Sequence, residues 1–364
     1  MIPLRPVNHE NRVPSLSARR PKRTQIPFAY GQVGPFVVKI LKFILLRRTR
    51  FGIWRVRFRS RVGGFIVFFS NVFLIGEVEV FTRIGIVVKP NAPNAIALTK
   101  ELTAWLYHRK RQVYLDEAIA GEVSDSIPVP AGKIGHQIEL LIVLGGDGTI
   151  LTAVRDLEGK DVPILGVNVG GLGFLTEITL EELYPAMEQI LKGKMTTEKR
   201  MKLCAKVFRK EEPVGEYTVL NDVVISKSVL ARLIHLRNSI NGAYVTTYRG
   251  DGVIISTPTG STAYSLAAAG PIVYPTMDSI LITPICPHTL TNRPLVIPER
   301  ATVEFTLESK ESDVRLTLDG QVGSPLLPFD RVVITKAQNH VLFIKSPSRD
   351  YFEILRTKLK WGER

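Results

Sequence analysis

Residues 145–149 read Gly145-Gly146-Asp147-Gly148-Thr149, directly after the unbroken apolar run 140–144 and before a helical pattern that starts near Thr149. At the carboxyl end of a buried strand, glycines let the backbone approach a ligand, and the amino end of the next helix favours phosphate. A carboxylate there can orient a divalent cation or take the proton of an attacking hydroxyl. The chemistry this spacing points to is phosphoryl transfer, with the acceptor left open. No G-x-x-x-x-G-K-[ST] and no well-placed G-x-G-x-x-G occurs, which excludes the Walker loop and the dinucleotide fingerprint. The competing reading makes Asp147 a simple helix cap. Three glycines around it at a strand end argue for a ligand instead.

A second concentration of polar groups begins with Arg249-Gly250-Asp251-Gly252, a turn flanked by strands, and continues through Thr257-Pro258-Thr259-Gly260-Ser261-Thr262-Ala263-Tyr264-Ser265. Ser261 or Thr262 can cap a helix that starts there, leaving amides and hydroxyls for a polar ligand, and the ring of Tyr264 can lie on a base. The plainer alternative is that these are only turn and cap residues.

The elements that must hold these groups follow from periodicity. Residues 83–88 form a buried-strand run, and Ile96, Leu98, Leu102, Trp105 and Leu106 keep helical spacing. A short strand over 112–115, a loop over 117–133, the strand 140–144, a helix from about 149, a strand over 163–167 and an amphipathic helix over 181–191 ending at Gly193 complete an alternating series. Continuous apolar strands separated by helices predict an open, parallel α/β domain of Rossmann-like form. Beyond about residue 196 the pattern changes to closely spaced strands at 203–208, 217–225, 233–240, 243–248, 252–256, 280–285, 302–307, 314–318 and 332–334. Asn241-Gly242 is a hairpin signal. The expected division is an α/β domain over 81–195, a mainly β domain over 196–345, whose one convincing helix starts near Ser261, and a segment 346–364 whose helix over 350–360 packs back on the α/β domain.

Length and composition agree with two globular domains: 364 residues, 45% hydrophobic and 23% charged. The net charge of +14 is concentrated at one end, because residues 1–80 hold 15 Lys and Arg against Glu10, Glu77 and Glu79, a net of +12 that leaves +2 for the rest. That near-neutral body excludes a nucleic-acid-binding role for the folded part. Residues 1–34 read as disordered, 36–61 as a basic amphipathic stretch, and the apolar run 62–75 is too short and too interrupted for a membrane span or a secretory signal. The segment reads as an upstream stretch translated from a start assigned too early, as a membrane-surface anchor, or as a nucleic-acid arm, and on the first reading it lies outside the fold. Cys204 and Cys286 lack metal or redox spacing, read as small buried hydrophobes, and suit a reducing cytoplasm.

Four motifs in order, Gly145 to Thr149, Leu220-Asn221-Asp222, Asp251-Gly252 and Thr257 to Ser265, resemble the signature set of the bacterial-type NAD kinase family. The stretches Gly166 to Leu175, Pro287-His288-Thr289-Leu290 and Leu318-Asp319-Gly320-Gln321 support the resemblance, which spans about residues 81–358. It implies transfer of the γ-phosphoryl of ATP to the 2′-hydroxyl of the adenosine ribose of NAD, giving NADP. It further implies that Asp147 accepts the proton and, with Gly148, contacts the dinucleotide, while Asn221 and Asp222 hold its ribose or base. Arg249, Asp251 and Gln321 would complete the polar site. Thr262, Ala263, Tyr264, Ser265, Leu266 and Ala267 would line the pocket, with Thr259 and Arg232 nearby and His288 at its edge. Gly145, Gly146, Gly148 and Thr149 would form the loop for the ATP phosphates. A divalent cation, Mg²⁺, would be held mainly through substrate phosphates without a dedicated metal site. A homo-oligomer, dimer or tetramer, is implied, with membrane contact only through residues 1–80. Several members of that family carry a basic residue five positions after the catalytic Asp, and here that position is Thr152. ATP and polyphosphate both remain open as donor. Rival readings are a lipid kinase of the diacylglycerol or sphingoid-base type, which shares the Gly-Gly-Asp-Gly-Thr turn, and a catalytically silent NAD-binding regulator, against which an intact Asp147 argues.

Overall fold

Strands that are apolar at every position need cover on both faces, and this requirement organises the first half of the fold. The computed structural model describes residues 44–48, 54–62, 65–72, 80–89, 95–228, 232–309 and 313–362. The chain divides into two compact units, residues 1–76 and 77–364. The first holds an antiparallel sheet of β1 (Ile44–Arg48), β2 (Trp54–Val62) and β3 (Phe65–Val72), paired in that order. Strands thus cover the described parts of the basic stretch and of the apolar run; the expectation for residues 1–34 lies outside the described residues.

In the second unit, β4 (Arg83–Val88), α1 (Ala95–Tyr107), β5 (Gln112–Asp116), α2 (Glu117–Ala120), β6 (Ser126–Val129), β7 (Leu140–Gly145), α3 (Asp147–Asp156), β8 (Pro163–Asn168) and α4 (Leu180–Leu191) build a parallel sheet in the order β6-β5-β4-β7-β8. Alternate residues face opposite layers. Ile84, Ile86, Leu140, Ile142 and Leu144 pack with Leu102 and Leu106 of α1 and Leu183 and Met187 of α4, whereas Leu141, Val143 and Ile164 pack with Ile150 and Val154 of α3. The chain winds from β4 outward to β6 and then returns to the other side of β4 as β7. The reversal between β4 and β7 opens a crevice at their carboxyl ends, where the Gly145–Thr149 turn sits.

The remaining chain forms β9 (Thr197–Arg209), β10 (Glu212–Val219), β11 (Asp222–Lys227), β12 (Ile234–Ile240), β13 (Ala243–Gly250), β14 (Gly252–Ser256), a 3₁₀ turn (Thr259–Thr262), α5 (Tyr264–Ala267), β15 (Ser279–Ile285), β16 (Leu295–Pro298), β17 (Val303–Leu307), β18 (Val314–Leu318), β19 (Val322–Leu326), β20 (Arg331–Ile344) and α6 (Tyr351–Leu359). A six-stranded sheet, β16-β15-β14-β11-β18-β19, packs on strands of the larger sheet, with Phe305 fully buried in the shared core. β20 belongs to both halves: Val332 to Ile334 pair with β17, and Leu342 and Phe343 pair in parallel with Pro163 and Ile164 of β8. One 11-stranded sheet therefore runs through the α/β and the mainly β parts.

Several expectations need correction. The loop expected over 117–133 contains α2, capped by Asp116, which accepts from Ala118 N, and β6, whose four residues gain their conformation from pairing with β5. The strand expected over 217–225 is two strands broken at Leu220 and Asn221. The helix expected near Ser261 is a 3₁₀ turn followed by four α-helical residues. The short strand at 332–334 is the first part of a 14-residue strand, disguised by the polar centre Lys336 to His340, where the register shifts. After β20, Lys345 and Ser346 N bond Glu177, Arg349 bonds Glu182 and the Glu177 carbonyl, and Tyr351 meets Tyr274 edge-on.

Candidate functional site

Asp147 is the first residue of α3, following Gly146 in extended conformation. Its carboxylate does not cap the helix. It crosses to the loop after β8, where Oδ1 accepts from Leu175 N and Oδ2 from Phe174 N, each at 2.9 Å. Each oxygen keeps a lone pair for a ligand hydroxyl. The loop is shaped by Asn168 at the end of β8, whose Oδ1 accepts from Gly170 N at 2.7 Å and whose Nδ2 donates to Thr176 Oγ1 at 3.1 Å. Gly173 is required for the approach, because a Cβ there would collide with Asp147 Oδ1 and Thr176 Oγ1.

The second polar group forms at the break between β10 and β11. Asn221, Asp222, Ala263, Tyr264, Asp319 and Gly320 line a cavity of about 330 Å³. Thr257 Oγ1 donates to Leu220 O at 2.6 Å and accepts from Gly260 N at 3.0 Å, while Thr257 N donates to Asn221 O at 2.9 Å. A side chain at Gly260 would strike the Asn221 backbone, so the small residue lets the Thr257–Thr262 turn close on the break. Asp222 is 4% exposed. Burial pushes its pKa up to about 7, and the charge of Asp319 adds to the shift. Burial also raises Asp319, against the amides of Leu220, Asn221 and Asp222 that hold it ionised.

Gln321 joins the two groups. Its Nε2 donates to Gly148 O at 2.8 Å, and its Oε1 accepts from Thr152 Oγ1 at 3.2 Å, so the position where several members of the family carry a basic residue is tied to the β18–β19 turn. The expected pocket wall divides. Ala263 and Tyr264 face the cavity, Thr259 is buried and accepts from Arg200 Nη1 at 3.4 Å, and Thr262 donates to Thr259 O at 3.3 Å. Ser265 is buried with its hydroxyl 2.9 Å from Thr283 Oγ1, while Leu266 is half-buried and Ala267 exposed. Arg249 and His288 are exposed neighbours, joined by a 2.8 Å bond from His288 N to Arg249 O. Asp251 pairs with Lys227 at 2.9 Å, and Arg232 is exposed just before β12. These four lie outside the lining of the cavity.

Sequence reasoning passed over Asp319 and Asn168 as functional positions. Both stand inside the stretches quoted for the resemblance, but neither pattern reveals that a side chain turns back to bind backbone amides. Cys286 is exposed rather than buried, in a turn with φ of 43°, and Cys204 is half-buried with its thiol donating to Glu216. Among the described residues, no three His, Cys, Asp or Glu side chains cluster as metal ligands, and no helix is long and apolar enough to cross a membrane.

Residues 84–195 match the family model of the ATP-NAD kinase N-terminal domain, and residues 220–346 that of the ATP-NAD kinase C-terminal domain. The chain is 49% identical over 283 residues to an NAD kinase of Syntrophotalea carbinolica, covering 78% of this chain and 99% of that protein. It is 50% identical over 286 residues to an NAD kinase of Citrifermentans bemidjiense, with the same coverage. Among solved structures it is similar to yeast NADH kinase complexed with NADH, with a TM-score of 0.73 and 25% identity over 82% of this chain and 91% of that one. An NAD kinase from Archaeoglobus fulgidus in complex with ATP gives a TM-score of 0.62 at 23% identity over 76% and 99%, a likeness of fold.

Proposed function

The chain belongs to the NAD kinase family, and from that premise we propose that Asp147 receives the proton of the adenosine-ribose 2′-hydroxyl of NAD as the γ-phosphoryl of ATP passes to it. The product is NADP. The observation that carries the base role is the carboxylate held by the amides of Phe174 and Leu175 at the sheet's reversal point, with lone pairs left for a hydroxyl. The amino end of α3 and the glycines before it suit the phosphates of ATP. A divalent cation, Mg²⁺, supplies charge neutralisation on those phosphates, and Asp147 is the carboxylate beside them.

The cavity beside Asp222 suits the nucleoside of NAD: Asn221 and Asp222 offer hydrogen-bond partners to hydroxyls or base edges, and Tyr264 offers a ring face. The acceptor is the dinucleotide rather than a lipid alcohol, since family likeness extends over the half that carries Asn221 and Asp222 as well as the half that carries Asp147. Arg249, Asp251, His288 and Arg232 then act at the rim. We also read the protein as a cytoplasmic homo-oligomer, dimer or tetramer, with 81–195 and 196–345 as its working domains and residues 1–80 outside the catalytic fold. The test is an acceptor panel: purified full-length protein with ATP and Mg²⁺ converts NAD to NADP and leaves diacylglycerol and sphingosine in vesicles unmodified. Lipid phosphorylation without NADP formation defeats the reading.

A further inference from the structure

Asp319 takes no part in the chemistry proposed above, yet it controls the backbone of the residues that do. Its Oδ1 accepts from Asn221 N at 2.7 Å and Asp222 N at 3.1 Å, and its Oδ2 from Leu220 N at 3.0 Å. Three successive amides at a strand break would otherwise be unpaired donors in a buried place. Two residues further on, Gln321 holds Gly148 O and Thr152 at the start of α3. Asp319 and Gly320 have φ of 50° and 64°, and Gln321 N donates to Leu318 O at 3.0 Å. Those values are the φ pattern of a type I′ hairpin turn, which fixes the two flanking side chains relative to each other.

We propose that the Asp319-Gly320-Gln321 turn is a positioning element for phosphoryl transfer. Through Asp319 it sets the Asn221–Asp222 backbone, through Gln321 it holds the amino end of α3, and together these fix the acceptor nucleoside relative to Asp147. The inference rests on the kinase reading. It also explains the charges gathered here: Asp222 from β11 and Asp319 are buried carboxylates, Lys202 from β9 is 3% exposed, and Arg155 of α3 has a buried Nη1 with no hydrogen-bond partner among the described residues. Arg155 favours the ionised form of Asp319, while burial lowers the pKa of Lys202 from the usual lysine value and the charges of Asp319 and Asp161 oppose that shift. Ionised Asp319 is the form that can accept all three amides.

Steady-state kinetics of full-length Asp319→Asn and Gln321→Ala test the assignment. In Asp319→Asn, an amide group must face one of the three N–H donors, so KM for NAD is expected to rise about tenfold or more with KM for ATP changed far less. Removing the charge beside Asp222 also moves the acid limb of kcat/KM for NAD to lower pH, which a loss of packing alone would not do. In Gln321→Ala, kcat is expected to fall by about tenfold, because small misplacements of reacting groups cost up to about 10²-fold. The Gln321 side chain is exposed, so this variant decides if Asp319→Asn lacks a cooperative thermal transition. An active wild type with both variants unchanged, or with Gln321→Ala at wild-type kcat, overturns the positioning role alone. A wild type that leaves NAD unmodified overturns the kinase reading and the positioning role together.

Discussion

Asp222 should make acceptor binding pH-dependent near neutrality. Its carboxyl is buried beside Asp319, which together push its pKa from the ordinary 3.8 up to about 7. In the proposed site the ionised group accepts hydrogen bonds from NAD, and protonation removes that capacity. With a pKa of about 7, roughly 10% is protonated at pH 8 and roughly 90% at pH 6, so KM for NAD is expected to rise about tenfold over that interval, near 1.4 kcal/mol. With a pKa of 3.8 it would not move. The assay is KM for NAD at saturating ATP and Mg²⁺ from pH 6 to 8.5, with Asp222→Asn as the control for every other titrating group. The same shift bears on the fold with a definite sign. Because the folded state holds this proton more tightly than the unfolded chain, its stabilising contribution is full below about pH 4 and is lost as pH rises through about 7. The unliganded protein should therefore lose thermal stability over the interval in which it gains affinity for NAD. A flat KM in the wild type, or an equal rise in Asp222→Asn, refutes the reasoning.

Asp147→Asn keeps the shape of the side chain and removes the basic oxygen; kcat is expected to fall about 10²-fold or more, with the melting temperature and NAD affinity broadly kept, and near-normal turnover removes Asp147 from the base role. Gly173→Ala places a methyl group against Asp147 Oδ1 and Thr176 Oγ1. Overpacking of this kind costs about 1–3 kcal/mol, so a lower melting temperature together with reduced kcat is expected, and wild-type values for both contradict the close approach. Deleting residues 1–76, a separate compact unit, is expected to leave kinase activity and melting temperature unchanged; loss of soluble protein would make the segment structural.

What could be read from the sequence was the part in which local pattern and tertiary role coincide. The run 140–144, the three glycines and Asp147 have one sensible arrangement, a buried strand end that meets a helix, and the structure has it as β7 and α3. The break at Leu220 and Asn221 was hidden because both flanks favour strands, and the interruption is imposed by Asp319, about a hundred residues away. The far half of β20 was hidden for the opposite reason: Lys336 to His340 is polar where the strand changes partners, so its alternation fails although its backbone stays extended. Side chains that bind distant amides, as Asn168 and Asp319 do, leave no periodic trace at all.

The double membership of β20 has a consequence for the order in which the protein can be made. The edge of β8 at Pro163 and Ile164 gains its parallel partner only when Leu342 and Phe343 arrive, about 180 residues later. During synthesis, the amino-terminal half therefore waits with an open strand edge, the kind of surface that recruits other chains. A chain ending at residue 195 should aggregate on release, and adding a separately expressed fragment 196–364 while it is still soluble should suppress that aggregation, as light scattering would report.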